Sequence, residues 1–99
     1  DYVIRFGGEE FLVLLIDVEL GEADVVAEKI RRAVASVGVQ TQSGPLSKTI
    51  SIGVSLFPVD GESLWQTIKF ADVALYKAKA AGRDQVVHFL PEMWNGDSF

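Results

Sequence analysis

Two adjacent carboxylates beside two glycines are the residues of this 99-residue sequence best suited to chemistry. They form the motif Gly7-Gly8-Glu9-Glu10-Phe11, which stands between the apolar runs Tyr2 to Phe6 and Phe11 to Ile16. Glycine has no Cβ and adopts positive φ at little cost, so the pair can form a tight turn that lets a phosphate approach the backbone. The glutamates supply the hard oxygen ligands that Mg²⁺ takes beside substrate phosphates. A metal and phosphate site is one interpretation, and a solvated hairpin tip is the other.

A second row of polar residues follows helical spacing in the last third of the chain. Asp72, Tyr76, Lys79 and Arg83 are separated by four, three and four positions, which places them on one side of a helix and its exit. The two cations could bind terminal phosphates, and Gly82 would free the backbone to direct Arg83 past the helix end. The same cations suit the negative end of a helix dipole, so a structural role stays open at this point.

The hydrophobic pattern predicts the elements that position the first motif. Two antiparallel strands are predicted on either side of the glycines, the second of them more buried. A helix is predicted to begin at Glu22 or Ala23 and to stop at Gly38, with one apolar face packed on the sheet. That face is predicted to comprise Ala23, Val26, Ala27, Ile30, Ala33, Val34 and Val37.

The rest of the chain alternates loops with regular elements. Thr41 to Lys48 contains Ser, Gly and Pro and is predicted to be a loop, whereas the β-branched run Thr49 to Val54 is predicted to be a strand in which Gly53 marks a close approach. After a loop at Pro58 to Gly61, Ser63 is the predicted N-cap of the second helix. The apolar stripe of that helix is predicted as Leu64, Ile68, Ala71, Leu75 and Ala78, and the final edge strand as Val86, Val87 and Phe89. This order of elements predicts an α/β sandwich with helices on the sheet.

Composition excludes several classes of protein. With 48% hydrophobic and 23% charged residues, the chain is predicted to be one folded domain or part of one, and no apolar run reaches the length needed to cross a bilayer. It has no cysteine, which excludes disulfides and thiolate metal sites and agrees with a cytoplasmic location. The formal net charge of −5 disfavours a nucleic-acid-binding surface, because an acidic protein repels polyanions.

Four ordered segments together resemble one known family. Arg5-Phe6-Gly7-Gly8-Glu9-Glu10-Phe11 resembles the central hairpin of GGDEF domains, the diguanylate cyclases that make cyclic di-GMP from GTP. Thr49 to Ser55 resembles the next core strand of that family, Ala71 to Arg83 its late helix, and Val86 to Phe89 its final strand. The resemblance therefore covers the chain from Asp1 to about Phe89.

The resemblance implies a fold and a division of the chain. It implies an α+β, nucleotidyl-cyclase-like fold, with a ferredoxin-like palm whose central, mainly antiparallel sheet is flanked by helices. Residues 1–90 are expected to be the C-terminal portion of the domain, and residues 91–99 a tail or linker. The sequence opens at the strand before the hairpin without an initiator Met, so the N-terminal half, with a further metal-binding Asp and the guanine-binding residues, is expected to be absent. The fragment alone is therefore expected to be inactive.

The resemblance also implies an activity and its partners. Complete domains of the family form a homodimer in which two GTP are condensed into cyclic di-GMP and pyrophosphate with Mg²⁺ or Mn²⁺, two ions per active site. Glu9 and Glu10 would be the catalytic and metal-binding carboxylates, and Gly7 and Gly8 would admit the phosphates. Lys79 and Arg83 would bind the β and γ phosphates. Membrane attachment would come only from domains outside this sequence.

A regulatory site is implied by fewer residues. The inhibitory product-binding motif of the family is Arg-x-x-Asp, and Asp1 has the spacing of its last residue. Arg5 and Lys29 are candidates for the basic groups that assist product binding, and a role as ordinary surface charges is the alternative for all three residues. The family usually has Asn after the phosphate-binding Arg, whereas this sequence has Asp84, which could pair with Arg83 or weaken its hold on phosphate.

Two other functions stay open from the sequence. The chain could be a catalytically silent GGDEF domain that binds GTP or cyclic di-GMP and regulates an attached domain, or a ferredoxin-like interaction module with an acidic hairpin. Among the remaining conspicuous residues, His88 is predicted to be structural or exposed rather than catalytic, since no nucleophile or metal partner is evident nearby. Trp65 is predicted to be a packing residue, and Trp94 to lie in the tail.

Overall fold

A pair of parallel strands lies between two helices at the centre of the computed structural model, which describes residues 2–5, 11–14, 18–19 and 21–94. The elements follow the order β1 (Tyr2–Arg5), β2 (Phe11–Leu14), α1 (Glu22–Ser36), β3 (Gly38–Thr41), β4 (Gly44–Ser47), β5 (Ile52–Val54), α2 (Leu64–Ala80), β6 (Val86–His88) and a 3₁₀ helix at Pro91–Met93. Within the described ranges, β1 pairs with β2 and β3 with β4, both antiparallel, whereas β5 pairs with β6 in parallel. The predicted α+β class with mainly antiparallel pairing is confirmed.

The alternation of side chains along β5 and β6 separates the two helices. Ile52 and Val54 of β5, with Val86 of β6, pack against Ala23 and Ala27 of α1. On the other face, Val87 and the adjoining Phe89 pack against α2 residues, chiefly Phe70, Val73 and Ala74. Because successive strand residues point to opposite faces, α1 and α2 cover opposite sides of this parallel pair. The predicted sandwich of helices on a sheet is therefore confirmed.

Helix α1 begins where the sequence predicts it and buries only the start of its predicted stripe. Ala23 and Ala27 are buried, whereas Ile30 is 37% exposed and Val37 is 54% exposed. The helix is capped by Gly21, whose φ of 87° is readily adopted only by glycine. The second half of the helix therefore buries less apolar surface than the first half.

Helix α2 has the predicted cap, but its buried face is shifted from the predicted stripe. The Ser63 side chain accepts a hydrogen bond from the backbone N–H of Gln66 at 3.1 Å, as expected of an N-cap. The fully packed positions are Thr67, Phe70, Val73, Ala74 and Ala78, so only Ala78 of the predicted stripe belongs to them. Leu64 is 55% exposed. The helix is apolar around much of its circumference, so its periodicity did not identify one face.

The predicted loop at Thr41 to Lys48 is wrong, because most of this segment forms the β3–β4 hairpin. Its turn is closed by the Thr41 hydroxyl, which donates to the Gly44 carbonyl oxygen at 2.6 Å and accepts from the Ser43 N–H at 3.1 Å. Gly44 adopts a φ of 110°, which a residue with a Cβ rarely does. The hairpin thus forms through the hydrogen bonds of a side chain and a glycine conformation, although apolar and polar residues do not alternate along its strands. The next predicted strand, Thr49 to Val54, is shorter than expected and covers Ile52–Val54.

The two tryptophans lie in different environments. Trp65 is 71% exposed on α2, so its prediction as a packing residue is wrong. Trp94, which follows the 3₁₀ helix, packs with Met93 against the core cluster of Phe70 and Phe89. Its ring centroid lies 5.8 Å from that of Phe70, and the Lys69 Nζ lies 4.6 Å from the Trp94 ring centroid. No helix in the described part of the chain is long and apolar enough to cross a membrane.

Candidate active site

The glycine–glutamate motif lies between two strands whose pairing is described on both sides of it. The register pairs Tyr2 with Leu14 and continues to Arg5 opposite Phe11, so the predicted antiparallel strands are confirmed. Residues 6–10, which include Gly7, Gly8, Glu9 and Glu10, lie outside the described residues, as does Asp1. Their assignments as catalytic, metal-binding, phosphate-binding and product-binding residues stay predictions.

The cations at the end of α2 are placed by a well-defined helix terminus. Lys79 is exposed in the last turn, together with Tyr76 on the same side of the helix. Gly82 has a φ of 120°, and the Arg83 N–H donates to the Ala78 carbonyl oxygen at 2.9 Å, while the Gly82 N–H donates to the Lys79 carbonyl oxygen at 3.4 Å. This double closure is the Schellman motif, in which a glycine in the left-handed region ends the helix. Gly82 therefore directs the chain carrying Arg83 away from the helix axis, as the sequence predicts.

Asp84 is paired with a residue of the other helix rather than with its neighbour. Its Oδ1 accepts a hydrogen bond from Arg31 Nη1 of α1 at 2.7 Å. Among the described residues, neither Lys79 nor Arg83 forms a side-chain ion pair. The described residues therefore do not form an ion pair between Asp84 and Arg83, which was one of the two possibilities that the sequence raised.

Arg31 is itself held by a bidentate ion pair. Its Nε and Nη2 donate to the two carboxylate oxygens of Glu28 at 2.7 and 2.8 Å, and Arg32 Nε donates to the same carboxylate at 2.9 Å. Hydrogen bonds from Arg31, and then from Arg32, lower the pKa of Glu28 to about 2. The hydrogen bond to Glu28 is the main cause that raises the pKa of Arg31, so both groups stay charged across the physiological range. The cluster is a fixed network of alternating charge that ends at Asp84.

The candidates for product binding are spread over two elements. Arg5 lies at the end of β1, and Lys29 is exposed on α1, where it lines an open surface depression of about 380 Å³ together with Asp24 and Arg32. The family's use of basic groups at these positions stays a prediction for this chain. The network of Arg31 and Arg32 was not predicted from the sequence, because its bond from Arg31 to Asp84 joins residues 53 positions apart.

A second unpredicted cluster surrounds His88. Its Nδ1 lies 2.8 Å from Asp24 Oδ1 of α1, and its Nε2 lies 2.7 Å from Asp60 Oδ2 in the loop before α2. Burial favours the neutral ring, but the hydrogen bonds to Asp24 and Asp60 outweigh it and raise the pKa of His88. The histidine is thus structural, as predicted. The alternation of side chains along β6 was a signal for the contact with Asp24, because His88, like Val86, lies on the side of the strand that faces α1.

The donors expected to hold a metal belong to the glycine–glutamate motif. In residues 2–5, 11–14, 18–19 and 21–94, no three Asp, Glu, His or Cys side chains converge as a metal site. The acidic side chains around His88 flank opposite nitrogens of one ring and so do not converge on a common point. By the chemistry of its donors, the pair Glu9 and Glu10 fits Mg²⁺ or Mn²⁺, because both ions take carboxylate oxygen ligands.

Comparison with known proteins adds independent evidence on the family. Residues 1–85 match the family described as diguanylate cyclase, GGDEF domain. The chain is 41% identical to diguanylate cyclase A of Treponema denticola over 87% of its own length and 23% of that protein, and 42% identical to the response regulator PleD of Caulobacter vibrioides over 88% and 20%. The crystal structure of diguanylate cyclase SiaD from Pseudomonas aeruginosa, solved with its activator SiaC, superposes with a TM-score of 0.76 at 40% identity, covering 87% of this chain and 33% of that one.

These matches agree with the geometry described above. The chain spans only part of these relatives, 23% of the length of diguanylate cyclase A and 20% of that of PleD. At 40% identity and a TM-score of 0.76, the likeness to the solved structure extends to the sequence as well as to the fold. The family match over residues 1–85 includes the glycine–glutamate motif, Lys79 and Arg83. The chain belongs to the GGDEF family.

Proposed function

We propose that the domain to which this chain belongs is a diguanylate cyclase, which condenses two GTP into cyclic di-GMP and releases pyrophosphate. The observation that supports this most directly is the pairing of β1 with β2 up to Arg5 and Phe11, on either side of an intact Gly-Gly-Glu-Glu sequence. A second support is the exit of α2, where Lys79 and Arg83 project without a carboxylate partner among the described residues. Carboxylates and cations on separate elements are what a metal-assisted phosphate reaction needs.

The residues have distinct tasks in this proposal. Glu9 and Glu10 would hold the divalent ions, and Glu9 would also accept the proton of the attacking ribose hydroxyl. Gly7 and Gly8 leave room for the phosphates because they have no side chains. Lys79 and Arg83 neutralise the β and γ phosphates, which leave as pyrophosphate. The bound Mg²⁺ or Mn²⁺ supplies charge neutralisation and lowers the pKa of the attacking hydroxyl.

The reaction joins two nucleotides and therefore needs two sites that face each other. We propose a homodimer in which each subunit binds one GTP, and each 3′-hydroxyl attacks the α-phosphate held by the partner subunit. Each attack forms one phosphodiester bond and breaks one bond to pyrophosphate. The rate per subunit should then depend on protein concentration in the range where the dimer dissociates. Cytoplasmic GTP and Mg²⁺ would supply the reaction.

The deciding experiment is chromatography of nucleotides after the protein that contains the complete domain has been incubated with GTP and Mg²⁺. We expect cyclic di-GMP from the unmodified protein. We expect Glu9→Gln to reduce its formation by at least about 100-fold, because the amide neither carries the charge a metal ligand needs nor accepts a proton. Glu92→Gln is the matched control, since Glu92 is an exposed glutamate of the C-terminal 3₁₀ helix.

Two other outcomes would change the assignment. Unchanged GTP from a folded dimer that binds the nucleotide would move the assignment to a silent GGDEF domain that regulates an attached domain. A protein that neither binds nor converts GTP would contradict both nucleotide functions and favour an interaction module. Equal losses in Glu9→Gln and Glu92→Gln would show that the substitution acts through general destabilisation rather than at the active site.

A further inference from the structure

We propose that Arg31 is a positioning residue for Arg83: by binding Asp84, it holds the turn after α2 in the conformation that presents the Arg83 guanidinium to a nucleotide phosphate. This inference rests on the proposed function, because it concerns how one of the phosphate-binding cations is oriented. It assigns a role to α1 that neither the family match nor the relatives provide.

The turn has an unusual backbone. Arg83 and Asp84 have φ values of 65° and 50°, and they are the only non-glycine residues with positive φ in the described part of the chain. Such conformations are rare for residues with a Cβ, although Asp and Asn adopt them more readily than others. Two in succession persist only where surrounding contacts hold them. The direction of the Arg83 side chain therefore depends on those contacts.

Three elements supply the contacts. From α2, the Ala78 carbonyl oxygen accepts from the Arg83 N–H at 2.9 Å. From the segment before β5, the Ser51 hydroxyl oxygen accepts from the Asp84 N–H at 3.0 Å. From α1, Arg31 binds the Asp84 carboxylate at 2.7 Å. The first two contacts fix the backbone on one side of the turn, and only the third fixes the Asp84 side chain.

Arg31 is well suited to this task because Glu28 already holds its guanidinium in place. Two of its nitrogens are bound to Glu28, and its side chain is only 19% exposed. A planar guanidinium held at two corners presents the remaining N–H groups in a fixed direction. Asp84, whose side chain is 45% exposed, is therefore bound by a guanidinium that is already held in place on the opposite side of the β5–β6 pair.

The same contact has an electrostatic consequence for Arg83. An unpaired Asp84 would be an anion next to the residue expected to bind phosphate, and it would compete with the phosphate for the Arg83 guanidinium. Arg31 neutralises that carboxylate and draws it toward α1. Arg83 then forms no ion pair with the described residues and stays available for a phosphate.

The test compares initial rates of cyclic di-GMP formation, as a function of GTP concentration, in four variants of the protein with the complete domain. Arg31→Met and Asp84→Ala remove the anchor from each side. Asp84→Asn keeps an oxygen that can accept from Arg31 and tolerates the left-handed backbone. Arg32→Met is the matched control, because Arg32 binds the same Glu28 but does not contact Asp84, and it removes the same charge.

We expect Arg31→Met and Asp84→Ala to raise KM for GTP about five- to tenfold with kcat changed less than about twofold, the pattern of a lost binding contribution. Asp84→Asn and Arg32→Met should stay within about twofold of the unmodified KM. In an Arg83→Met background, Arg31→Met should add nothing, because the residue it positions is gone. A purely structural role of Arg31 would not produce this dependence on Arg83.

The contrary outcomes separate this inference from the proposed function. If the unmodified protein turns over GTP but Arg31→Met behaves like Arg32→Met, or has the same effect with and without Arg83, the positioning role is wrong and the cyclase stands. If the protein binds GTP without turnover, dissociation constants for GTP measured by calorimetry replace KM, and the same variants then test the positioning role. If it binds no GTP, the proposed function and the positioning role are both wrong.

Discussion

At the scale of single residues, His88 links α1 to the loop before α2 through two carboxylates. Only an imidazolium donates at both ring nitrogens, so the full set of contacts to Asp24 and Asp60 requires the charged ring. When the ring loses its proton, one nitrogen becomes an acceptor that faces a carboxylate oxygen, and that contact turns unfavourable. Asp60 also accepts the Leu56 N–H at 2.7 Å, so its position does not depend on His88 alone. The cluster therefore stabilises the fold in a manner that depends on pH.

This dependence can be measured with His88→Asn. The pKa of His88 is raised in the folded chain, so its stabilisation is complete below the unfolded value of about 6.5 and is lost as pH rises through the folded pKa. At pH 5.5 we expect the variant to lower the free energy of unfolding by about 1–2 kcal/mol, a value kept small because the His88 ring is partly exposed to solvent. At pH 9 we expect a much smaller effect. Urea unfolding at the two pH values is the measurement. A difference that grows with pH would contradict the assignment.

Residue spacing predicted where Lys79 and Arg83 lie but not the ion pair beside them. Lys79, Gly82 and Arg83 follow one helix and its exit, so a local pattern was enough to predict their placement. The contact of Arg31 with Asp84 was not accessible in the same way, because a charged residue off an apolar stripe has many possible partners. Tertiary structure selected one of them, between residues 53 positions apart.

At the scale of elements, Gly53 determines how closely α2 packs on β5. A Cβ at this position would lie well inside van der Waals distance of the Ala71 carbonyl oxygen and the Leu75 backbone nitrogen, and 2.9 Å from the Leu75 Cα. All three are backbone atoms, so no side chain can move aside. The close approach that the sequence suggested at Gly53 is confirmed, and it explains why a glycine stands inside a strand.

We therefore expect Gly53→Ala to destabilise the fold by about 3 kcal/mol, since α2 must shift away from the strand. Gly38→Ala is the matched control, because a Cβ at Gly38 meets nothing within 4 Å and Gly38 does not need the left-handed conformation. It should change stability by less than about 1 kcal/mol. Urea unfolding followed by circular dichroism distinguishes the two. Equal effects would show that loss of glycine itself, rather than helix packing, is the cause.

Elements with strong local signals were predicted, and elements that depend on side-chain bonding were not. Both helices begin within a residue of their predicted starts, at Glu22 and Leu64, because Gly21 and Ser63 precede them as caps. The β3–β4 hairpin was missed because Gly44 and Pro45 are typical of loops, and its turn depends on the Thr41 hydroxyl. When apolar and polar residues do not alternate along a hairpin, the sequence has no periodicity from which its strands can be recognised.

At the scale of the whole molecule, the structure continues past the end of the family match. The match covers residues 1–85, yet the core cluster contains Phe89, whose ring stacks on Phe70 at 4.2 Å. Met93 and Trp94 extend the same cluster from the 3₁₀ helix. The assignment of residues 91–99 to a tail or linker stays a prediction, and residues 91–94 are the part of it that can be tested by stability.

The two tryptophans provide that test within one chain. Trp94→Ala removes a half-buried ring that contacts Phe70 and lies beside the Lys69 ammonium, so we expect a loss of about 2 kcal/mol in the free energy of unfolding. Trp65→Ala removes a ring of the same size that is 71% exposed, and it should cost less than about 0.5 kcal/mol. Urea unfolding followed by circular dichroism avoids dependence on either fluorophore. If Trp94→Ala were as mild as Trp65→Ala, the folded unit would end near residue 90, and the 3₁₀ helix would belong to the connection with whatever follows it.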